Sequence, residues 1–379
     1  MDHPDAYGLE RARRMKALML TRYERSGASS RLRMIQYKDA LRLKGIEHRL
    51  APFFDQSYLE RLYSNQSTLG PTFGAYARRV SQLRQAVQAD LLWLEKEALP
   101  WLPWAIERAL IPTGIPLVVD YDDAVFHRYD LHRSSAVRWL LREKLDRLMS
   151  SAALITAGNR YLADRAKVAG ARRIEIVPTV VDLSEYTRRP EPIWTHPPSI
   201  GWIGTPSTWT EYMAPLMPLL IQVAEAHSAR IAVVGAGRAA AAHRLLDNLP
   251  WTEASEVERL HAMDIGIMPL TDTPWARGKC GYKLIQYMAC GLPVIASPVG
   301  VNTEIVEHGV NGFLASTETE WTQALRTLLS DPVLRARMGE EGRRKVEREY
   351  SLQIWGPRVA QLLRDVASQG RRGRCSTLA

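Results

Sequence analysis

The amino-acid sequence predicts an α/β protein built from two domains, each a parallel β-sheet with helices on both faces. Short apolar runs alternate with amphipathic stretches from one end of the chain to the other, and this alternation is typical of parallel sheets covered on both sides. The length of 379 residues exceeds the about 100–200 residues of one domain. A stretch with four prolines in twelve residues, 187–198, interrupts the alternation near the middle of the chain and is typical of a linker.

The first domain is predicted to span residues 1–186. Amphipathic patterns predict helices, for example over Ser30–Leu43 and Ser134–Met149. Apolar runs of the length of buried strands lie between such patterns, and these predicted strands are Lys16–Leu20, Glu47–Leu50, Asp90–Leu94, Leu117–Tyr121, Ala153–Thr156 and Ile174–Val177.

The second domain is predicted to span residues 199–350. A last helical pattern at about 352–367 is predicted to pack back on the first domain, and the polar end, 369–379, is predicted to be a flexible tail. The predicted strands of the second domain are Ile200–Ile203, Ile231–Val234, Asp264–Met268 and Pro293–Ala296.

Composition excludes several classes of protein. Hydrophobic residues make up 46% of the chain and charged residues 24%, which is the balance of a globular protein rather than a disordered one. The cysteines, Cys280, Cys290 and Cys375, lack the spacing of a zinc site, and so few of them fit a reducing compartment such as the cytoplasm. No apolar run reaches the about 18 residues that a membrane-spanning helix needs.

The net charge of +9 is concentrated in the first half of the chain. Residues 1–185 carry 29 Lys and Arg against 22 Asp and Glu, whereas residues 186–370 carry 18 against 19. A basic first half suggests an anionic partner, such as a membrane surface or a lipid phosphate, although a basic surface that only keeps the protein soluble has the same composition. No nucleic-acid-binding module accompanies the charge, so no nucleic-acid partner is predicted.

Two tryptophans in the first half are candidates for contact with a membrane. Trp101 and Trp104 are followed by Arg108, and tryptophan beside cationic residues suits the membrane interface. This interpretation predicts peripheral attachment to the inner face of the cytoplasmic membrane. Packing between elements of the fold accounts for the same residues equally well.

The segment Gly278–Ser297 carries the strongest chemical signal. It predicts a glycine-containing turn, a helix of about ten residues that Gly291 terminates, and an apolar strand. Free backbone amides at Gly281 and Tyr282 would point out of the helix start and form an anion site suited to a diphosphate. Lys279 and Lys283 lie beside these amides and would add positive charge. A plain loop–helix–strand unit with two solvated lysines gives the same pattern.

The next predicted loop, 298–306, contains Glu304. A carboxylate is well suited to accept hydrogen bonds from a pair of sugar or ribose hydroxyls. An acidic residue in the first turn of a helix is also favoured by the helix dipole, and the spacing alone favours this second interpretation.

The block Lys279–Gly312 resembles the donor-binding signature of glycosyltransferase family 4. Shorter segments in the expected order support the resemblance: Ser26–Arg31 after the first strand, Val177–Asp182 at the domain junction, Ile200–Gly204, and Val233–Gly237. The resemblance covers about residues 16–365 and is strong at Lys279–Gly312 and moderate elsewhere.

The resemblance implies the GT-B fold, in which two Rossmann-like domains face each other. It implies that the second domain binds a UDP- or GDP-sugar and that the first binds a glycan or lipid-linked acceptor, in bacterial envelope polysaccharide synthesis. It also implies a reaction with retention of configuration and without a metal or other cofactor. The donor-binding residues that it implies are Gly27, Gly204, Thr205, Lys279, Cys280, Gly281, Tyr282, Lys283, Gln286, Asn302 and Glu304.

The sequence departs from the family pattern at two functional positions. The family commonly has two glutamates eight positions apart, and aligned on Gly281 these positions are Gly278 and Gln286. Gln286 retains a hydrogen-bonding group for a ribose hydroxyl, whereas Gly278 has no side chain to hold the donor sugar. The departure favours a variant active site over an inactive one.

Carboxylates that follow the predicted strand Leu117–Tyr121 are candidate catalytic groups. Asp120, Asp122 and Asp123 lie at a strand end, where open parallel sheets bind their ligands. We expect Asp122 or Asp123 to orient the acceptor hydroxyl and Lys283 to stabilise the leaving diphosphate, with His127 as a weaker acid–base candidate. Asp120 and Asp122 form an Asp-x-Asp pair, but no metal is predicted. Capping of the loop by aspartate side chains is the alternative.

Three other functions remain open to different degrees. The missing glutamates are compatible with a non-catalytic nucleotide-sugar-binding or scaffold protein of the same fold. A sugar epimerase with two Rossmann-like domains would need no acceptor. A dehydrogenase is disfavoured because Val234–Gly237 lacks the third glycine of the dinucleotide fingerprint, where Ala240 stands instead.

Overall fold

The computed structural model describes residues 14–63, 66–190 and 197–376. These residues form two six-stranded parallel sheets, one in each half of the chain. The predicted fold class, two α/β domains with helices on both faces of parallel sheets, is confirmed.

The sheet of the first domain has the strand order β2-β1-β3-β4-β5-β6. The residues of its central strands β3 and β4 are all buried, as expected for strands that are covered on both faces. The strands are β1 Met15–Leu20, β2 Ile46–Leu50, β3 Leu91–Glu95, β4 Leu117–Tyr121, β5 Leu154–Ala157 and β6 Ile174–Ile176. The helices are α1 Ala28–Arg33, α2 Lys38–Leu43, α3 Gln56–Tyr63, α4 Leu69–Gln85, α5 Trp104–Leu110, α6 His127–Asp130, α7 Ser135–Leu141, α8 Lys144–Ser151 and α9 Arg160–Val168.

The sheet of the second domain has the strand order β12-β11-β10-β7-β8-β9. Its strands are β7 Ser199–Ile203, β8 Arg230–Val234, β9 Leu246–Leu249, β10 Ile265–Met268, β11 Val294–Ala296 and β12 Gly312–Leu314. Its helices are α10 Pro206–Thr208, α11 Met217–Ala226, α12 Glu256–His261, α13 Pro274–Arg277, α14 Tyr282–Ala289, α15 Asn302–Ile305, α16 Glu318–Ser330 and α17 Pro332–Glu349.

The strand order reverses direction between β1 and β3 in the first sheet and between β7 and β10 in the second. Crevices at such switch points, outside the carboxyl ends of the strands, are where open parallel sheets bind ligands. The loops that follow β1, β3, β4, β7 and β10 are therefore the ones that the fold brings to a site.

Two predicted helices are interrupted in the structure. The helix predicted over Ser30–Leu43 breaks at Met34, whose φ is −133°. After the break, Met34, Ile35 and Tyr37 are all buried. The helix predicted over Ser134–Met149 divides into α7 and α8, and α8 directs Lys144 into the core, where its Nζ lies 2.6 Å from Glu97 Oε2.

The last helix, α18 Leu352–Ser376, packs on the first domain. Val359, Leu363 and Val366 join a buried cluster with residues of β1, β3 and β4. In the region predicted as a flexible tail, 369–379, the helix continues as far as Ser376, and Gly370 lies against Pro116. Residues 377–379 lie outside the described residues.

The predicted linker, 187–198, falls partly outside the described residues, which omit 191–196. Before this gap the chain runs along the second domain, where Arg189 Nη1 lies 2.8 Å from Asp264 Oδ1. Among the helices of the described ranges, none has the length and apolar character needed to cross a bilayer.

Candidate active site

The turn before α14 leaves backbone amides without partners. Gly281 has φ +64°, and a Cβ there would lie 2.3 Å from Ile305 Cδ1, so glycine is required both by conformation and by space. Within the described residues, the amides of Gly281, Tyr282 and Lys283 donate to no protein acceptor. These donors lie at the positive end of the dipole of α14, so the predicted anion site has the expected local geometry.

Two lysines flank these amides without a counter-ion. Lys279 Nζ lies 5.7 Å from the ring centre of Tyr212, and Lys283 Nζ lies 6.0 Å from that of Trp202. In the part of the chain that the structure describes, neither ammonium group lies within 4 Å of a carboxylate. Burial, and then repulsion by Lys279, lower the pKa of Lys283 to about 8. The amides and the two cations together form a site for an anion.

Two adjacent carboxylates face this site from the first domain, and the structure distinguishes them. Lys96 Nζ lies 2.8 Å from Asp122 Oδ1 and 3.6 Å from Asp123 Oδ2. Burial tends to raise the pKa of Asp122, but Lys96 and Arg33 outweigh it and the pKa is lowered. Burial, and then repulsion by Asp122, raise the pKa of Asp123. Asp122 is thus held in an ion pair, whereas Asp123 remains 30% exposed.

Asp123 interacts electrostatically with the two lysines of the second domain. Its negative charge opposes the lowering of the pKa of Lys283, and Lys279 in turn opposes the raising of the pKa of Asp123. Asp123 of the first domain therefore lies within electrostatic range of Lys279 and Lys283 of the second.

Lys96 was not predicted as a site residue. It lies directly after β3 with φ +62°, a conformation that is uncommon for a residue other than glycine, and its Nζ also donates to Ser29 Oγ at 3.1 Å. Backbone strain of this kind clusters at functional sites. The only signal in the sequence was a lysine just after a predicted strand, and the sequence does not show which carboxylates it contacts.

The two domains contact each other directly beside the site. Cys280 Sγ donates to the carbonyl of Asp122 at 3.1 Å, and Asn159 Nδ2 donates to the carbonyl of Lys279 at 2.9 Å. A Cβ on Gly278 would lie 2.5 Å from Ala124 Cβ and 2.6 Å from its backbone nitrogen. Position 278 therefore has no room for a side chain while the domains are in contact.

Replacing Gly278 by alanine should hold the domains apart. The added methyl group meets backbone rather than a flexible side chain, so the contact with Ala124 has to open. We expect a larger radius of gyration in small-angle X-ray scattering and lower activity. The free energy of unfolding of each domain should not change. Gly74→Ala is the matched control because nothing lies within 4 Å of its Cβ. An unchanged radius of gyration for Gly278→Ala would contradict the prediction.

The amide nitrogen of Gln286 is engaged in internal hydrogen bonds. It is buried, and its Nε2 donates to Glu256 Oε1 at 2.8 Å and to the hydroxyl of Tyr186 at 3.0 Å. Glu256 also accepts a hydrogen bond from Trp251 Nε1 at 2.5 Å. The amide nitrogen of Gln286 is thus committed to positioning Glu256, and it is not free to donate to a ribose hydroxyl. Glu256 was missed because its partners are distant in sequence.

Three predicted donor-binding residues lie in the loops that follow strands β1 and β7. Gly27 caps α1 two residues before Ser29, which contacts Lys96. Gly204 follows β7, and a Cβ there would lie 2.5 Å from the ring of Trp202. Thr205 caps α10 through its side chain. These residues shape the loops after β1 and β7.

Two predicted residues are already occupied by internal hydrogen bonds. Both ring nitrogens of His127 are engaged, Nδ1 at 2.8 Å from Asp130 Oδ1 and Nε2 at 2.7 Å from the hydroxyl of Tyr161. The side chain of buried Asn302 donates to the carbonyl of Ser297 at 3.0 Å. These contacts give each residue a structural role and leave His127 no free nitrogen for acid–base chemistry.

The side chains of Cys280 and Tyr282 have partners away from the anion site, and that of Glu304 lies beside the first domain. The thiol of Cys280 lies in the core of the first domain, where burial raises its pKa. Glu304 is half exposed, with Arg160 Nε 3.9 Å away. The hydroxyl of Tyr282 lies 2.9 Å from that of Tyr186. Only the backbone amide of Tyr282 is available to an anion.

The Asp-x-Asp pair does not offer two free carboxylates to a metal ion. Arg33 binds Asp120 with both ends of its guanidinium group, Nη2 to Oδ1 at 2.8 Å and Nε to Oδ2 at 2.9 Å. Thr156 donates a further hydrogen bond to Asp120, and Asp122 is paired with Lys96. These residues do not fit a metal site.

Residues 197–331 match the family model described as glycosyl transferases group 1. The matched residues run from just before β7 to just after α16 in the second domain. The chain is also similar over 248 residues, with 27% identity, to the GDP-mannose-dependent monoacylated alpha-(1-6)-phosphatidylinositol monomannoside mannosyltransferase of Corynebacterium glutamicum. That alignment covers 59% of this chain and 65% of the relative, which is less than two thirds of its length.

Solved structures of low sequence identity share the whole fold. HepE of Anabaena in complex with UDP-glucose has a TM-score of 0.68 and 18% identity, covering 93% of this chain and 100% of that one. Sucrose-phosphate synthase of Thermosynechococcus elongatus has a TM-score of 0.67 and 13% identity, covering 94% and 100%. WaaG, a glycosyltransferase involved in lipopolysaccharide biosynthesis, has a TM-score of 0.63 and 14% identity, covering 92% and 99%. The GT-B arrangement of two Rossmann-like domains is confirmed.

Proposed function

We propose that this chain, whose second domain matches the family model of glycosyl transferases group 1, transfers a glycosyl group from a nucleotide-sugar to an acceptor bound by the first domain. The observation that carries the proposal is the anion site at the start of α14. Its amides and the side chains of Lys279 and Lys283, which have no acceptor or counter-ion among the described residues, lie at the junction of the two domains, within electrostatic range of Asp123. A diphosphate bound there would place the sugar beside that carboxylate.

In the proposed mechanism the nucleoside diphosphate is the leaving group. Charge that develops on its oxygen is stabilised by the amides of α14 and by the two lysines, which act before and during bond breaking without having to move. This positive charge takes the place of a metal ion. Contact between the domains excludes water and limits hydrolysis of the donor.

Asp123 is proposed to accept a hydrogen bond from the attacking hydroxyl of the acceptor. The acceptor attacks the face that the leaving group departs from, so configuration is retained, and a phosphate oxygen of the donor takes the proton. Lys96 and Asp122 hold the loop that carries Asp123 through their ion pair of 2.8 Å.

The test is a binding screen followed by a transfer assay. Isothermal titration calorimetry with UDP, GDP, ADP and their sugars should reveal binding of one nucleoside diphosphate, and the matching nucleotide-sugar should yield a labelled product with an envelope lipid or glycan extract. Binding without transfer or hydrolysis would instead support a non-catalytic binding protein, which the missing glutamates at Gly278 and Gln286 motivate. Absence of binding to every nucleotide would contradict both functions.

The proposed acceptor is a glycan or lipid-linked component of a bacterial envelope. The name of the Corynebacterium relative states that it acts on a phosphatidylinositol mannoside, and WaaG is described as acting in lipopolysaccharide biosynthesis. Both names support an acceptor at a membrane surface and a cytoplasmic protein attached peripherally to it.

The first domain has an exposed surface that suits such attachment. Trp139 of α7 is 83% exposed and Leu140 beside it is 51% exposed, and the exposed Arg133 and Arg142 flank α7. Tryptophan with arginine favours the interface of an anionic bilayer. Trp104, in contrast, is half buried and packs on the core.

Replacing Trp139 and Leu140 together by serine should reduce binding to vesicles. We expect wild-type protein to sediment with vesicles that contain phosphatidylglycerol and the double variant to remain mostly in the supernatant. Val333→Ser is the matched control, since it removes a side chain of similar exposure from α17 of the second domain. Equal sedimentation of the double variant and wild type would remove α7 from the proposal.

Affinity for the nucleoside diphosphate should depend on pH through Lys283. Its pKa of about 8 in the free protein means that the ammonium form, which attracts the diphosphate, predominates below pH 8 and is lost above it. We expect affinity to fall only about twofold between pH 7 and 8 and by at most about tenfold per pH unit above that, measured by calorimetry. Lys283→Ala should abolish this decline, and a decline that persists unchanged in the variant would exclude Lys283 as its cause.

A further inference from the structure

Arg31 of α1 crosses from the first domain into contact with the second. Its guanidinium carbon lies 5.5 Å from the ring centre of Trp251, and its Nε lies 3.8 Å from Glu253 Oε1. Trp251 and Glu253 both follow β9 of the second domain. The side chain of Arg31 is only 7% exposed, so it is buried between the domains.

The contacts of Arg31 leave it incompletely satisfied. Its Nη1 is buried and has no hydrogen-bond partner in the described part of the chain. Glu253 has a closer cation, because Arg25 Nη2 lies 2.7 Å from the same carboxylate oxygen. A buried guanidinium N–H without an acceptor is unfavourable, and native structures rarely retain one that has no role.

The start of α1 lies beside the site on the side of the first domain: Ser29, two residues before Arg31, contacts Lys96, whose Nζ lies 2.8 Å from Asp122 and 3.6 Å from Asp123. Tyr282 is the first residue of α14, and its amide is one of the free donors. Burial and the charge of Glu256 raise the pKa of Tyr282, and the charge of Arg31 opposes this rise. Contacts connect the two residues: Arg31 packs on Trp251, Trp251 donates to Glu256, and Tyr186 links Glu256 to the hydroxyl of Tyr282 at the start of α14.

The first domain also has a simpler means of binding the second. Arg25 forms the shorter ion pair with Glu253, and both side chains of this pair are exposed to solvent. If Arg31 served only to join the domains, it would duplicate this contact at longer distance and at the expense of a buried, unpaired N–H. A ligand that supplies the missing acceptor explains both features.

We propose that Arg31 donates a hydrogen bond to a phosphate oxygen of the donor nucleotide, so that the first domain completes the anion site across the cleft. Guanidinium groups suit phosphate because their N–H donors match its oxygens in geometry and charge. The proposal rests on the proposed function, since it needs a nucleoside diphosphate at α14. A nucleotide held from both sides also favours contact between the domains.

Calorimetry on four forms of the full chain tests the proposal. The forms are wild type, Arg31→Met, Arg31→Lys and the control Arg25→Ala, each titrated with UDP and GDP and with uridine and guanosine. Methionine retains the packing against Trp251 and removes every N–H, whereas lysine retains a charge and shows whether a loss reflects the site rather than misfolding. Circular dichroism verifies that each variant is folded.

We expect Arg31→Met to weaken binding of the nucleoside diphosphate about 10- to 100-fold, the range for a lost hydrogen bond to a charged group. Arg31→Lys should lose less, Arg25→Ala should stay within about twofold of wild type, and binding of the nucleoside alone should not change in any form.

Three results would overturn the proposal. The first is wild-type affinity in Arg31→Met. The second is an equal loss of affinity in Arg25→Ala, which would show that Arg31 only joins the domains. The third is an equal loss of affinity for the nucleoside, which would place Arg31 at the ribose or base. Failure of the wild type to bind any nucleoside diphosphate would instead contradict the proposed function itself.

Discussion

Replacing Lys283 by alanine is expected to lower kcat about 10²- to 10³-fold, the range seen when one preorganised group that stabilises developing charge is removed. Lys283 has no carboxylate partner in the described residues, so its charge is available to the leaving diphosphate. Because the interaction strengthens as the bond to the sugar breaks, the loss should appear in kcat more than in KM. Steady-state kinetics with the nucleotide-sugar identified in the binding screen measure it.

Two further variants make this measurement specific. Lys167→Ala removes an exposed lysine from α9 and should have no effect on kcat. Lys279→Ala removes the neighbouring charge that helps to lower the pKa of Lys283, so the decline in affinity above pH 8 should move to higher pH. Unchanged turnover in Lys283→Ala would contradict the role of Lys283 in stabilising the leaving group.

Asp123→Asn is expected to lower kcat about 10- to 100-fold, the range for a lost hydrogen bond to a charged group, while the free energy of unfolding stays close to that of wild type. Asp123 is partly exposed and lies 3.6 Å from Lys96, so asparagine fits without leaving a buried charge unpaired. Single-turnover kinetics and urea unfolding measure the two quantities.

Asp122→Asn should mainly affect the free energy of unfolding rather than kcat. Asp122 is the close partner of buried Lys96, at 2.8 Å, and breaking a buried ion pair costs about 3–5 kcal/mol because the remaining charge is uncompensated. We therefore expect a clear loss of stability in Asp122→Asn. Normal turnover in Asp123→Asn, or equal losses of stability in both variants, would show that the two carboxylates are not distinguished in this way.

The sequence was sufficient to predict features that depend on local pattern. Strand β4 has the predicted bounds, because a buried run such as Leu117–Tyr121 is apolar on both faces. The turn at Gly281 and its flanking lysines were also predicted, because a glycine directly before a helical pattern indicates a turn from neighbouring residues alone. Strands β9 and β12 were missed because Leu246–Leu249 and Gly312–Leu314 are short and partly polar or exposed.

Features that depend on contacts between distant residues could not be predicted. Nothing near Lys96 in the sequence shows that its ammonium group lies between Ser29 and Asp122. The burial of Gln286 against Glu256 depends on the packing of α14 on α12. Gly278 was interpreted as a missing side chain, whereas the structure adds that Ala124 occupies the space that a side chain would need.

The packing of α18 on the first domain has a consequence for biosynthesis. Met19, Trp93 and Val118 of the first sheet are buried by a helix that begins at Leu352, after the whole second domain. While the ribosome is still translating the second domain, this apolar face lacks the part of its cover that α18 supplies, and only residues such as Met34, Tyr37 and Leu41 pack on it. We infer that the domain made first matures last, and that nascent chains need protection from aggregation until α18 emerges.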